Sequence, residues 1–187
     1  MTIQVATSNA HKLEEIQAML KVPVEGIGLD VNENGRTFEA NAVKKARAAY
    51  KHLPMMTLAD DSGLMVDCLN GRPGIKSARF ASPSTPENLC IKLLKVMKNC
   101  RRRGAQFVCA MALIYPNGKV KTVKGVVRGR IINEMRGANG FGYDAVFMPA
   151  GFKKTFAEMS SAQKNKLSHR SRALKKIKAI LAKQSCR

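Results

Sequence analysis

Two adjacent carboxylates offer the clearest chemistry in this sequence. Asp60 and Asp61 follow an apolar run and precede Ser62 and Gly63, in a chain that has only 13 acidic residues. Mg²⁺ prefers oxygen ligands, and proteins usually offer it one or two carboxylates beside phosphates and water. One carboxylate could therefore bind the metal while its neighbour deprotonates a water molecule. The plainer interpretation is an Asx-type turn in which Asp60 accepts hydrogen bonds from backbone amides.

A polar segment near the start of the chain has the composition of an anion site. Thr7, Ser8 and Asn9 lie between a predicted strand and a predicted helix, and Lys12 follows in the first turn of that helix. Free amides and the helix dipole attract phosphate at such a place. The spacing differs from that of a Walker A loop. An ordinary capped helix with a solvated lysine is the alternative.

A glycine-rich segment in the second half of the chain could bind a flat ligand. Gly140 and Gly142 flank Phe141, and Tyr143 and Asp144 follow. The glycines allow a ligand to approach the backbone closely, and the aromatic ring could stack on a base. A glycine-rich turn whose aromatic side chains fill the core is the alternative.

A cluster of hydrogen-bond donors lies nearer the end of the chain. It comprises Lys164, Ser168, His169 and Arg170. His169 and Arg170 could donate to a keto group on a purine. Solvated charge on a helix surface is the alternative, because that is the usual position of lysine and arginine.

Composition limits the class of protein. The chain has 187 residues, of which 45% are hydrophobic, so it can bury a core. Its 33 basic and 13 acidic residues give a net charge of +20, which attracts polyanions such as nucleic acid, anionic membranes and nucleotides. The cysteines are five in number and form no C-x-x-C pair, which argues against a zinc site. With no signal-peptide core and no apolar run of membrane-spanning length, we expect a soluble, cytoplasmic protein that does not bind membranes.

Strands and helices alternate along the chain, which predicts an α/β fold. A strand over residues 2–6 should lead into a helix that begins near Ala10, with Ser8 or Asn9 as its cap. Thr37 should cap a second helix, and residues 84–87 resemble a capping box before a third. We predict strands over 55–59 and 64–67, separated by a turn at Asp60–Gly63. An Asn-Gly turn predicts a hairpin within 106–132, and residues 159–182 should be mostly helical with a break at Ser168.

Four blocks in order resemble the inosine triphosphate pyrophosphatase family, the pyrophosphatases of non-standard purine nucleoside triphosphates. The blocks are residues 6–9 with Lys12 and Glu15; residues 37–42; residues 59–80; and residues 140–144 with 155–159 and 168–170. The resemblance covers nearly the whole chain. Two positions differ from the family's usual pattern. Members vary at Glu39-Ala40, where some carry the acid on the other position, and Ala145 replaces a common proline.

The resemblance implies a single domain over residues 1–187, with two lobes around a long twisted mixed sheet and a central cleft. It also implies a homodimer. The implied activity is Mg²⁺-dependent hydrolysis of ITP, dITP and XTP to the monophosphate and pyrophosphate, which cleanses the nucleotide pool. By the same resemblance, Asp61 is the general base and a metal ligand, with Asp60 and Glu39 as further metal ligands. The implied substrate-binding residues are Thr7, Ser8, Asn9, Lys12, Ser62, Phe141, Gly142, Tyr143, Asp144, Lys164, His169 and Arg170.

Within that set, the resemblance gives each group a part of the nucleotide. Lys12, Asn9 and Lys164 would hold phosphates, and Phe141 would stack on the base. Asp144, His169 and Arg170 would read the edge of the base.

Two other functions compete with this interpretation. A small basic nucleic-acid-binding domain without turnover would use the charge and the run Arg101–Arg103, but it leaves Asp60 and Asp61 without a role. An enzyme of the same class could instead act on a modified pyrimidine triphosphate. A purely structural role is the least favoured.

Overall fold

Six strands form one mixed sheet, in a computed structural model that describes residues 2–20 and 22–183. They are β1 Ile3–Ala6, β2 Val24–Ile27, β3 Thr57–Val66, β4 Gly104–Ile114, β5 Val120–Ile131 and β6 Phe147–Pro149. Their order in the sheet is β2-β1-β3-β4-β5-β6. β1 runs parallel to β2 and β3, whereas β5 and β6 are antiparallel. The predicted α/β class and mixed sheet are confirmed; the short β6 was not predicted.

Five α-helices within the described residues accompany the sheet. They are α1 Ala10–Met19, α2 Phe38–His52, α3 Pro86–Val96, α4 Ser161–Leu167 and α5 His169–Ala182. Thr37 caps α2 as the sequence predicts, and Asn9, one of the two predicted candidates, caps α1; each side chain accepts a hydrogen bond from an amide of the first turn. Such a cap stabilises a helix by about 1 kcal/mol. No described helix combines the length and the apolar character needed to cross a membrane.

The predicted capping box before α3 is wrong in its register. Thr85 is the N-cap, and its hydroxyl accepts a hydrogen bond from the amide of Asn88. Ser84 instead donates its hydroxyl to the carbonyl of Ala78. Because Pro86 takes the first helical position, the residue directly before it becomes the cap.

The predicted turn at Asp60–Gly63 is also wrong, because β3 runs without a break through these residues. Asp and Gly favour turns by intrinsic preference, but strand preference depends strongly on what each side chain contacts. Both carboxylates in β3 have polar partners in the folded protein. Contacts distant in sequence therefore override the local turn signal.

The chain divides into two units by the density of its internal contacts. Unit one takes the described residues of 1–61, 109–125 and 170–187, and unit two takes residues 62–108 and 126–169. The core of unit one packs residues of β1, β3 and β4 against α1 and α5, including Val5, Ile16 and Ile177. The expectation of a single two-lobed domain stays a prediction.

The core of unit two is richer in aromatic side chains. Phe107 contacts Phe147 edge-on, with ring centroids 4.7 Å apart. Phe147 also packs against Phe156 at 5.2 Å. Leu89 and Leu93 of α3 complete one side of this cluster. Cys68, Cys90 and Cys100 are free thiols, Cys109 is buried in β4, and Cys186 lies outside the described residues.

Two glycines with the same backbone conformation allow a matched test of packing in unit two. Gly137 and Gly151 both have φ of +83°. A Cβ at Gly137 would lie 2.3 Å from the backbone carbonyl carbon of Ala157, whereas a Cβ at Gly151 would meet nothing within 4 Å.

We expect both alanine variants to lose about 1–2 kcal/mol from the left-handed conformation. Gly137→Ala should lose about 1–3 kcal/mol more, because the backbone of Ala157 must shift. Urea denaturation of the two variants measures the difference. Equal losses would mean that the loop at Gly137 adjusts freely.

Candidate active site

Asp60 is a buried carboxylate that two basic side chains neutralise. Only 1% of the residue is exposed. The Lys12 ammonium lies 3.2 Å from both carboxylate oxygens, and an Nη of Arg170 lies 3.3 Å from one of them. Arg170 is itself buried and also pairs with Glu15 of α1. Although burial alone would lower the pKa of Arg170, Asp60 and Glu15 raise it, so the guanidinium remains charged.

The start of α1 carries the predicted phosphate residues. The Asn9 side chain accepts a hydrogen bond from the Lys12 amide at 3.0 Å, and the Thr7 hydroxyl accepts one from the Asn9 amide at 3.1 Å. Ser8 is exposed. These caps fix the first turn of α1, and the turn directs Lys12 towards β3. The amides at this helix start offer an anion site in unit one.

Asp61 has a different environment from its neighbour. Asn41 of α2 donates its side-chain amide to Asp61 at 2.9 Å. Burial raises the pKa of Asp61, and Glu33 adds to the increase, whereas Lys45, Asn41 and Lys12 oppose it. Because successive side chains of a strand point to opposite faces, Asp60 and Asp61 face different surroundings. Asp61 is the carboxylate whose negative charge is less well balanced.

Lys45 and Glu33 form an ion pair near Asp61. Their charged atoms are 2.9 Å apart, and Lys45 is largely buried. Burial would lower the pKa of Lys45, but the carboxylates of Asp60, Asp61 and Glu33 raise it. Lys45 therefore brings a fixed positive charge to the Asp61 side of β3.

Glu39, the third predicted metal ligand, contacts Lys124 of β5 at 2.6 Å. Burial would raise its pKa, but the hydrogen bond and charge of Lys124 lower it. Among residues 2–20 and 22–183, no group of three or more His, Cys, Asp or Glu side chains could hold a metal.

The residues around Asp61 nevertheless fit a magnesium ion. Mg²⁺ commonly takes one or two protein carboxylates and completes its shell with phosphates and water. Asp61 offers a buried hard oxygen donor whose charge is incompletely balanced. Asp60 and Glu39 would have to share their carboxylates with the basic partners described above.

A second polar cluster lies in unit two, around the glycine-rich loop. Asp144 accepts a hydrogen bond from the Phe141 amide at 2.9 Å and pairs with Lys164 at 2.8 Å. The Lys164 ammonium lies 4.5 Å from the centre of the Phe141 ring, which is within cation–π distance. Asp144 and Lys164 are both about 5% exposed or less. One carboxylate thus holds both the aromatic loop and the lysine.

The loop is anchored on its other side by Cys90 of α3. The Cys90 thiol lies 3.4 Å from the Gly142 carbonyl, which accepts its hydrogen bond. Burial, helped by the charge of Asp144, raises the pKa of Cys90 to about 12. A cavity of about 290 Å³ opens beside this loop, and the first turn of α3 with Pro86 and Glu87 forms part of its wall.

Three other predicted substrate residues have mainly buried contacts. Tyr143 is buried, and its hydroxyl donates to the Ser77 carbonyl at 2.8 Å. His169 is buried and stacks on Phe107, with ring centroids 4.8 Å apart. Ser62 is half-buried in β3. Unit two therefore brings together Phe141, Asp144 and Lys164, while Tyr143 and His169 also serve its core.

Comparisons with known proteins agree over nearly the whole chain. A profile of the Ham1 family matches residues 3–180. The chain belongs to the Ham1 family. A relative from Bacillus licheniformis named dITP/XTP pyrophosphatase is 44% identical over 188 residues, covering 95% of this chain and 96% of the relative.

Solved structures of Ham1 proteins share the fold. The Staphylococcus aureus Ham1 protein matches with a TM-score of 0.88 and 39% identity, covering 98% of this chain and 100% of that one. A Ham1 protein from Coxiella burnetii matches with a TM-score of 0.89 and 36% identity, covering 98% and 99%. The predicted family is confirmed.

Sequence reasoning missed three polar residues of this Ham1 site. Asn41, Lys45 and Glu33 contact or surround Asp61, yet none was singled out beforehand. Asn41 and Lys45 are four residues apart on α2 and so share one face of the helix. The available signal was that Asn41 lies three residues after Phe38 and next to Ala42, so a polar side chain falls among the positions of α2 that are buried.

Asp61 should make the stability of the metal-free protein depend on pH. Its raised pKa means that the folded state holds the proton more tightly than the unfolded state. Stability should therefore fall as pH rises from the ordinary aspartate range through the raised pKa. Asp61→Asn should lack this fall and be the more stable protein at neutral pH in EDTA.

Urea denaturation from about pH 3 to about pH 8 measures the effect. Asp67→Asn makes the same chemical change at an exposed position just after β3 and is the control. Parallel pH profiles for Asp61→Asn and the unchanged protein would contradict the prediction.

Replacing only one partner of the Asp144–Lys164 ion pair should lower the stability of the folded protein. Asp144→Asn leaves a buried ammonium without its carboxylate partner, so we expect a loss of about 3–5 kcal/mol. Adding Lys164→Met removes that charge and should recover part of the loss. A double-mutant cycle by chemical denaturation measures the coupling. Additive effects would show that the two side chains do not depend on each other.

Proposed function

We propose that the protein hydrolyses ITP, dITP and XTP to the nucleoside monophosphate and pyrophosphate, with Mg²⁺ as cofactor. The observation that carries the proposal is the buried, incompletely neutralised Asp61 beside the lysines Lys12 and Lys45. The names of the relatives, dITP/XTP pyrophosphatase, support the same activity. The nucleic-acid-binding alternative without turnover leaves this carboxylate unexplained.

Asp61 acts as the general base in this proposal. Its carboxylate accepts a proton from water as the water oxygen bonds to a phosphorus of the α–β bridge. The bridging P–O bond breaks, and its electrons leave on the departing phosphate oxygen. Burial raises the pKa of the metal-free Asp61 carboxyl, and a positioned carboxylate can take the proton from the attacking water. Bound Mg²⁺ would supply charge neutralisation for the triphosphate, with Asp61 as its principal protein ligand.

The lysines of unit one neutralise the substrate's phosphates. Lys12 and the capped start of α1 offer an ammonium and free amides to one phosphate. Lys45 offers a second fixed charge, because its three neighbouring carboxylates keep it protonated. Phosphoryl transfer needs little covalent chemistry from the protein. Positioning of the substrate and neutralisation of its phosphate charge therefore account for most of the catalysis.

The cluster in unit two recognises the base. Phe141 offers a face for stacking, and Lys164 offers donors to the 6-keto oxygen of inosine or xanthine. The amino group of adenine is itself a donor at that position and leaves the lysine without an acceptor. The contacts of Lys164 with Asp144 and Phe141 favour a role at the base over the phosphate role first expected.

A nucleotide panel tests the activity. Pyrophosphate release from ITP, XTP, dITP, GTP, ATP and dTTP should be strong for the first three with Mg²⁺ and absent with EDTA. Release from dTTP instead would favour a pyrimidine substrate. No release from any nucleotide would overturn the proposal.

Replacing Asp61 tests its role directly. Asp61→Asn should lower kcat by roughly 10²–10⁴, the usual range for the loss of a general base. Asp67→Asn is the matched control and should retain nearly full activity. A kcat of Asp61→Asn within a few-fold of the unchanged protein would remove Asp61 from the role of base.

Two further parts of the proposal concern the assembled protein. We infer a homodimer, which light scattering after size-exclusion chromatography tests. We also infer that the protein works in the cytoplasm, where its nucleotide substrates are made and used.

A further inference from the structure

A stripe of basic side chains follows the exposed face of α5 in unit one. Arg172, Lys175, Lys176 and Lys183 are all exposed. Counted from Arg172, the other three lie three, four and eleven residues further along, and at 3.6 residues per turn these spacings keep them on one side of a helix. We call these four residues the α5 stripe. Between Lys176 and Lys183 the further exposed residues are Ala179 and Ala182.

The apolar face of α5 is already occupied. Ala173, Leu174, Ile177 and Leu181 are buried in the core of unit one. A helix that binds within a membrane surface needs large apolar side chains on its outward face. The α5 stripe offers only charge and alanine there, so its composition does not fit a lipid surface.

The neighbouring strand extends the stripe. Lys176 donates to the backbone carbonyl of Lys124 at 2.8 Å, which places α5 against β5. Lys121 is exposed, and it shares a sheet face with Val123, which packs into the same core cluster as α5. The sequence contains no Asp or Glu after Glu158, so α5 carries no acidic residue.

We propose that the α5 stripe and Lys121 bind the phosphate backbone of duplex nucleic acid without reading its bases. The eleven steps from Arg172 to Lys183, which directly follows α5 and donates its amide to the Ala179 carbonyl, span about 16 Å at the rise of a helix. One strand of a duplex presents a phosphate about every 3.4 Å, so the stripe faces roughly four or five phosphates. The stripe has no aromatic side chain on which an unpaired base could stack. This favours a duplex over a single strand.

The other basic run fits such a ligand less well. Arg103 is half-buried, and its guanidinium donates to the carbonyls of Ile131 at 2.8 Å and Ile132 at 3.0 Å. Only Arg101 and Arg102 of that run are exposed. The run therefore supports local structure and offers fewer charges in a row than the α5 stripe.

Matched triple variants test the proposal. The first replaces Arg172, Lys175 and Lys183 by Gln and keeps Lys176, which bonds to β5. The control replaces Lys95, Lys98 and Arg101, which are exposed around the end of α3. Each variant loses two lysines and one arginine, and Gln preserves helix propensity. Fluorescence anisotropy measures binding to a duplex of about 20 base pairs, between about 50 and about 200 mM salt.

The unchanged protein and the control variant should bind with similar, steep salt dependence. The stripe variant should bind at least about tenfold more weakly, and the slope of log K against log salt should decrease by about two to three, since each lost phosphate contact removes about 0.9. If the triple variant does not fold, Lys175→Gln alone should lower the slope by about 0.9.

Three results would overturn the proposal. They are no duplex binding by the unchanged protein, equal loss in both triple variants, and stripe-dependent binding to anionic vesicles or to oligo-dT in preference to the duplex. Thermal denaturation checks folding, and ITP hydrolysis should be unchanged in both variants because none of the six residues belongs to the candidate active site. Duplex binding does not depend on hydrolysis, so failure of one proposal leaves the other to be judged separately.

Discussion

The ion pairs of Asp60 are the interaction on which the rest of unit one depends. A carboxylate that is 1% exposed would be very costly without partners. Lys12 comes from the first turn of α1 and Arg170 from the first turn of α5, so both helix starts are tied to β3. The same contacts balance the charge of Asp60 but not that of Asp61. Because successive side chains of a strand point to opposite faces, these two aspartates have different partners.

The different surroundings of Asp60 and Asp61 also show which features the sequence alone can predict. The cap at Thr37 could be predicted, and the cap of α1 could be placed at Ser8 or Asn9, since a side chain and an amide three residues away decide each one. The continuous strand through Asp60 and Asp61 could not, because its carboxylates are stabilised by residues as distant as Asn41 and Arg170. Local preference favours a turn at this sequence, and only the folded chain supplies the partners that allow a strand.

The polar cluster of unit two, which we propose binds the base, was predicted in its members but not in its contacts. The spacing of Gly140, Phe141 and Gly142 indicates a loop that a flat ligand can approach. Nothing in the spacing indicates that Asp144 holds both the Phe141 amide and Lys164. That arrangement joins residues 20 positions apart, and it is the reason for proposing that Lys164 binds the base rather than a phosphate. Tyr143 likewise belongs to the family pattern, yet its hydroxyl is used within the protein.

The Cys90 thiol has a consequence for how this protein tolerates oxidants. Peroxides and disulfides react with thiolates, and reactive cysteines have a lowered pKa and access to solvent. Cys90 is 1% exposed, and its pKa is raised to about 12, so it remains a neutral thiol throughout the physiological range. The loop that carries Phe141 is therefore anchored by a sulfur atom that is poorly placed to react with peroxides or disulfides, unlike an exposed thiol of ordinary pKa.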